Sequence, residues 1–437
     1  MVPVQQFGAV GNGHADDTNA LRNALGQARG DLLFPRGVYR LTETVEVPLA
    51  ECGPLSLRGA GGAVLRMEGP GPALRLVGTH AGTAAPASVQ PGVYERERLP
   101  TLDGLEIVGA HPQADGVRIE GTFKAILTRL FIRECRHAVH LTSRNRDVII
   151  SDCQLYHNRG CGVILEDVNL HQINVLGSHL SYNAGGGIKV LNSEVRNLQI
   201  TGNDIEYNYD LEAEQSADIW LETGERSIRE GTIASNTIQA KPSPGGANIR
   251  FVGQSAETAH KVGLFSIVGN LISNQEVNLH LKWARGVVVS GNTLYSGHRR
   301  SVIAEESSKL VFSGNLWDHN PDYPGDTPDG LTFRHCRAVT LTGLHLDRAR
   351  GEGEDGAAVL LDRCEDVLLR GGQILDASPH GMTLLDCRHC RIEGVHIRDR
   401  REPPQMRAPA LLRRGGENIL RLDGSEAAGP APPTGPD

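Results

Sequence analysis

No stretch of the 437-residue chain holds a run of about twenty apolar residues, which excludes a membrane-spanning helix. Aromatic residues make up only 4% while glycines number 52, so a turn-rich, tightly stacked interior suits the composition better than a helical one. Neither sign of charge dominates. A net charge of −8 argues against a surface that recruits nucleic acid through its overall field. The opening MVPVQQFGAV lacks a basic segment followed by an apolar core, so no secretory signal is expected in this chain. One CxxC, Cys387 to Cys390, stands without a second such pair or a histidine pair at zinc spacing. It is a weak metal signal, and no metal site is expected.

What is present is a repeat. Residues 187–208, GIKVLNSEVRNLQITGNDIEYN, alternate apolar and polar positions at Ile188/Val190 and at Leu198/Ile200, turn at Gly202-Asn203, and add Ile205. Residues 162–183 and 138–158 share the layout, as do copies starting at Asp218, Asn248, Asn278 and Val302, with fainter ones at Gly330, Ala358 and Gly381. Three period-2 runs per unit are strands, and no single unit could bury its apolar face alone. Stacked parallel, about eleven such units would share one interior.

Asparagine recurs at one corner of five consecutive units: Asn203, Asn236, Asn270, Asn292 and Asn315. Asparagine tolerates left-handed backbone, and its amide can bond the amides of neighbouring rungs. This column resembles the asparagine ladder of pectate lyase-like right-handed parallel β-helices. The eight cysteines fit the same packing. Cys336, Cys364 and Cys387 fall at one corner, and Cys135 and Cys153 are assigned to another. An odd stack cannot pair within itself, so free buried thiols are expected and not a disulfide framework.

Near the N-terminus, Asp16 or Asp17 can cap a helix whose apolar positions are Leu21, Ala24, Leu25 and Ala28. A strand at 32–34 and a Pro35-Arg36-Gly37 turn follow. Gly8-Ala9, Gly11-Asn12-Gly13, Asp16-Asp17-Thr18 and Pro35-Arg36-Gly37-Val38-Tyr39 resemble the GA-x-GDG, DDT and PxGxY elements of the pectate lyase superfamily, its rhamnogalacturonase and epimerase-like members included, with Asn12 in place of Asp. In that family the segment caps one end of the solenoid. The expected organisation is an N-terminal cap over residues 1–45, a single all-β right-handed parallel β-helix over 46–423, and a disordered Pro/Gly/Ala-rich tail over 424–437. The resemblance suggests a secreted or periplasmic protein, whereas free cysteines would suit the cytoplasm. Localisation stays open.

A filled β-helix leaves chemistry to outward positions and corners, whose columns repeat about every 4.8 Å. On the first strand of successive rungs the outward columns read Ile164, Lys189, Trp220, Arg250, His280 and then Glu166, Leu191, Glu222, Val252, Lys282. Asp218, Asn248 and Asn278 form a third. Inserted loops after Asn208, Gln239 and Asp318 would wall a groove on that face. In pectate lyases and polygalacturonase-like hydrolases this sheet holds the cleft, and the resemblance implies the same here.

The groove suits a sugar polymer. Trp220 offers a flat ring, while Lys189, Arg250, His280 and Lys282 could meet carboxylates or hydroxyls. Hydrolysis needs two carboxyls. Glu166 and Glu222 stand two rungs apart, roughly 9.6 Å by strand spacing, near the upper end of the ~6.5–9.5 Å of an inverting pair. Glu206, Asp210 and Asp218 are the other candidate acids, and the His157, Tyr182 and Tyr207 column reads as corner packing. The motif sets of polygalacturonases and calcium pectate lyases are absent, so no catalytic residue carries over from them. The expectation is a glycoside hydrolase without a cofactor. Its rivals are a lyase or uronate epimerase using Lys189, Arg250 or His280, with a divalent cation such as Ca²⁺ entering only there, and a non-catalytic glycan-binding, tailspike-like protein. The partner is a polysaccharide or oligosaccharide, with no nucleic acid or membrane expected and oligomeric state undecided.

Overall fold

The structure is a computed structural model that describes residues 1–28, 30–323 and 325–424. It divides into two compact units, Met1–Phe265 and Ser266–Asp437. Strands in both pair side by side with the strand one coil away, always parallel, as in Ile188↔Ile219 in the first unit and Val339↔Val367 in the second. The strands form about 16 turns of solenoid, in keeping with the eleven or more expected from the repeats. Among the described residues no helix is long and apolar enough to cross a membrane.

Each regular coil contributes three strands, and hence three sheets. In one coil of the first unit these are Gly186–Leu191, Glu194–Thr201 and Asp204–Glu206. Ile188, Val190, Leu198, Ile200 and Ile205 are fully buried, so the alternation read from sequence puts the apolar set inside. The N-terminal helix Thr18–Gln27 buries Leu21, Ala24 and Leu25. Asp17 occupies its N-cap position without capping it, and accepts instead from the Val10 and Gly11 N–H groups. The neighbouring Asp16 takes the Thr18 N–H at 3.0 Å. Strands already begin at Val2–Pro3, which pairs with Leu32–Phe34 within the segment expected as a cap. Apart from Gly424, the tail expected over residues 424–437 lies outside the described residues.

The asparagine ladder is present within each unit. Asn203 Nδ2 donates to Asn236 Oδ1 at 3.0 Å, and in the second unit Asn270 and Asn292 donate to the next Oδ1 at 2.9 Å each. The left-handed residue at these corners is not the asparagine. It is the residue before: Gly202, Ser235, Gly269, Gly291 or Gly314. The asparagine is kept for its amide, which bridges coils, and the backbone reversal falls on its neighbour.

All eight cysteines are unpaired and buried. Cys336, Cys364 and Cys387 share a corner with Ser307, and each thiol donates to the carbonyl two residues before it, as the Ser307 hydroxyl does. Cys135 and Cys153 do not share a column. The Cys135 N–H donates to Asn158 Oδ1, whereas the Cys153 N–H donates to Ser178 Oγ at a different corner.

Candidate functional site

The register on the first sheet of the first unit is Ile164↔Lys189, Lys189↔Trp220 and Trp220↔Arg250, so these side chains form one outward column. Lys189 Nζ lies 4.1 Å and Arg250 Cζ 5.2 Å from the Trp220 ring centroid, one cation from each neighbouring coil. The ring faces expected to receive a pyranose are therefore taken by cations. Trp220 Nε1 donates to Glu222 Oε2 at 2.9 Å. Arg250 is only 5% exposed and donates to the Gly245 carbonyl, and burial lowers its pKa to about 10, which leaves it charged at neutral pH.

The other candidates scatter. Glu166 faces Leu191, which faces Glu222, so the two acids are two coils apart, with one coil between them, as read from the sequence. Glu166 turns to His140, with Oε2 3.6 Å from Nε2, and burial lowers the pKa of that imidazole. His280 and Lys282 stand on the first sheet of the second unit, where His280 Nε2 is 3.3 Å from Glu305 Oε2 and Lys282 Nζ sits 4.3 Å from the Trp283 ring centroid. Asp210 folds its own loop, its Oδ1 accepting from the Glu212 N–H at 2.9 Å and its N–H donating to Ser216 Oγ at 3.1 Å.

Asp218, Asn248 and Asn278 do not decorate the face, for all three are fully buried. They sit where the chain bends into the sheet, and strict alternation does not hold through a bend. In the first unit they complete a second ladder. Asn158, Asn183 and Asn208 donate in turn through Nδ2, and Asn208 donates to Asp218 Oδ1 at 3.2 Å. Burial raises the Asp218 pKa from 3.8 to about 8, with the amides of Asn248 and Asn208 pulling the other way.

Glu206 is placed differently. It lies on the third sheet, on the three-residue strand Asp204–Glu206, with Ile205 pointing inward and both carboxyls outward. Asp204 Oδ2 is 3.1 Å from His179 Nδ1 on the preceding coil. Asp204 Oδ1 is buried and no N–H or hydroxyl reaches it, and the Asp204 carboxyl is hydrogen-bonded to that of Glu206. Burial first, then the Asp204 charge and their shared hydrogen bond, raise the Glu206 pKa to about 7. A proton on Glu206 makes it the donor in the bond that the two carboxyls share. Ser181 faces Glu206 across the register and its hydroxyl is hydrogen-bonded to Tyr156. At the adjoining corner His157, Tyr182 and Tyr207 stack, with centroids 4.9 and 5.4 Å apart. His179 and Asp204 were not singled out from sequence. The acid-apolar-acid pattern of a three-residue strand was the available signal, since it puts both acids on one face.

Among the described residues no group of three or more His, Cys, Asp or Glu is placed to hold a metal ion. Residues 93–238 match the family model described as the right handed beta helix region. The chain folds as a right-handed parallel β-helix. Among solved structures, this β-helix is similar to the Dettilon tailspike protein, at 15% identity and a TM-score of 0.55 over 94% of this chain and 68% of that one. It is also similar to the catalytic unit of a GH87 alpha-1,3-glucanase from Streptomyces thermodiastaticus (14% identity, TM-score 0.39, 96% and 68% covered). The mannuronan C-5 epimerase AlgE6 A-module from Azotobacter vinelandii is a third (13%, 0.42, 99% and 100%). Likeness at these identities is likeness of fold. No curated protein sequence matches the chain.

Proposed function

We propose that this β-helix is a carbohydrate-active enzyme that hydrolyses a glycosidic bond at the third sheet of its first unit, with Glu206 as proton donor. The observation that carries the reading is the Asp204–Glu206 carboxyl pair, partly open to solvent, in which Asp204 and burial keep Glu206 protonated to about pH 7. Two carboxyls close enough to share one proton act as a single unit. The Glu206 proton passes to the glycosidic oxygen as its bond to the anomeric carbon breaks. The Asp204 carboxylate faces the positive charge that develops on the sugar, and the proton of the incoming water returns to the pair.

A panel of glycans including α-1,3-glucan and mannuronan tests this, with reducing ends and ultraviolet absorbance read together. Reducing ends without absorbance are expected, and Glu206→Gln should lower kcat by roughly 10²–10⁴-fold, the usual worth of a general acid. Full activity in both Glu206→Gln and Asp204→Asn would overturn the assignment. Absorbing, unsaturated products would instead show elimination and direct attention to Lys189 and Arg250.

A further inference from the structure

The CxxC of the sequence closes a corner in the second unit. Cys387 follows the strand His380–Leu385 and Cys390 precedes the strand Arg391–Arg398, with Arg388 and His389 between them. His389 takes the left-handed φ of +52° that reverses the chain there. Both cysteine side chains are buried, and their thiols are hydrogen-bonded to each other. Two sulfurs already in contact need only a small movement to reach an S–S bond of about 2.05 Å. Cys135, Cys153 and Cys161 differ, for no other thiol is among the groups that act on them. Cys364 does touch Cys387 from the preceding coil, but its thiol is held by the Phe333 carbonyl at 3.3 Å. The Cys390 thiol is held more loosely across the coils, 3.9 Å from the Cys364 carbonyl.

The cover over this corner is thin. Among the described residues one further coil lies beyond it, and its strands Ala408–Arg413 and Ile419–Leu422 are half-buried or exposed at every position. Asn418 clips that coil down. Its Nδ2 donates to the Cys387 carbonyl at 2.9 Å, and its Oδ1 accepts the Cys390 N–H at 3.0 Å. An end coil that buries so little opens locally at small cost, and an oxidant hardly larger than water passes it.

The two sulfurs are also chemically unlike. Ionisation of Cys387 draws the protons of the Cys364 and Cys390 thiols onto its sulfur, which holds its pKa below the ordinary thiol value although burial opposes this. The same contact with Cys387, and then burial, hold the Cys390 thiol above that value. One sulfur is prepared as a nucleophile, and its neighbour keeps a proton to give.

We infer that Cys387 and Cys390 form a redox site, oxidised by hydrogen peroxide to a disulfide and returned to two thiols by a small dithiol. The Cys387 thiolate attacks one peroxide oxygen and the O–O bond breaks. The departing hydroxide takes the Cys390 proton and leaves as water, with Cys387 now a sulfenic acid. The Cys390 sulfur displaces its hydroxyl, which leaves as a second water with the proton first lost by Cys387. In sum, two thiols and one peroxide give one disulfide and two waters, the sulfurs losing two electrons and the oxygens gaining them. A dithiol reverses this by exchange and ends as its own disulfide. The site lies in the second unit and does not depend on the role proposed for Glu206.

Mass spectrometry of the whole chain tests it, after hydrogen peroxide at neutral pH, quenching with catalase, alkylation in denaturant and cleavage before aspartate. Cleavage before Asp386 and Asp399 releases residues 386–398, which hold both cysteines. That peptide is expected to carry no alkyl group and to be lighter by two hydrogens. Its link should form at least about tenfold faster than Cys135, Cys153 or Cys161 is oxidised. Dithiothreitol before alkylation should restore two alkylated thiols. Cys364→Ser should form the same link as wild type. A peptide that stays fully alkylated, a link from Cys387 to Cys364, loss of the link in Cys364→Ser, a change that dithiothreitol does not reverse, or oxidation of the isolated thiols at the same rate would each overturn the inference.

Discussion

Asp218 Oδ1 accepts both the main-chain N–H of Asn208, at 3.1 Å, and its Nδ2, at 3.2 Å, while Asp218 Oδ2 accepts Asn248 Nδ2 at 3.0 Å. Donors converge on it from two coils and pull its pKa down, but burial outweighs them. Burial raises its pKa to about 8, so between about pH 4 and 8 the folded chain holds a proton that the unfolded chain releases. That contribution is complete below the unfolded pKa and is lost as pH rises through the folded one. His137 and His140, whose pKa values burial lowers, slope the opposite way below the ordinary histidine pKa. The informative quantity is therefore a difference. Wild type should lose thermal stability relative to Asp218→Asn as pH is raised from 4 to 8, and a pH-independent gap would refute the assignment.

Asp218→Ala removes the acceptor altogether. Each buried donor left unmade costs about 1–3 kcal/mol. Denaturant unfolding at pH 7 should place this variant at least about 2 kcal/mol below Asp218→Asn, in which a rotated Asn248 amide can restore the ladder.

Activity that needs a protonated Glu206 should fall as pH rises past about 7. Asp204→Asn removes the neighbouring charge, so the alkaline limb of its pH–kcat profile should move to lower pH, with burial retaining part of the shift. An unmoved limb would mean that some other group gives up the proton.

Trp220 is held between Lys189 and Arg250, and such contacts are worth about 0.5–2 kcal/mol each when partly desolvated. Lys189→Met and Arg250→Met should each destabilise the chain by about that much. In a double-mutant cycle with Trp220→Leu, the loss should shrink when the ring is already gone.

Burial raises the Cys135 and Cys161 thiols to about 12 and hides the rest, so a bulky thiol reagent should label none of the eight in the folded chain and all eight in denaturant. Cys364→Ser should cost under about 1.5 kcal/mol, as shape-matched buried replacements with a retained bond do, since Ser307 occupies the same corner with the same bond.

Period-2 patterning was enough to place Lys189, Trp220 and Arg250 in one outward column, because a misread of one residue would have put apolar side chains outside. It was not enough at corners. Asp218 shares the parity of Trp220 and yet lies buried, since the bend before the strand turns its side chain into the ladder. The role proposed for Glu206 rests on Asp204, whose partner His179 stands 25 residues earlier, a separation set by coil length, which only the stacking reveals. Trp220 was read in isolation as a platform. Its neighbours one coil away on either side decide otherwise.

The 209–216 loop leaves the chain directly after Asn208 and returns directly before Ala217 and Asp218, and these two ladder residues are bonded to each other. The excursion is thus clipped at its base and lies outside the repeating frame. Lengthening a flexible excursion adds little closure entropy, about 0.6 kcal/mol per doubling. A longer or shorter excursion at this point would therefore leave the stacked coils on either side of its base as they are.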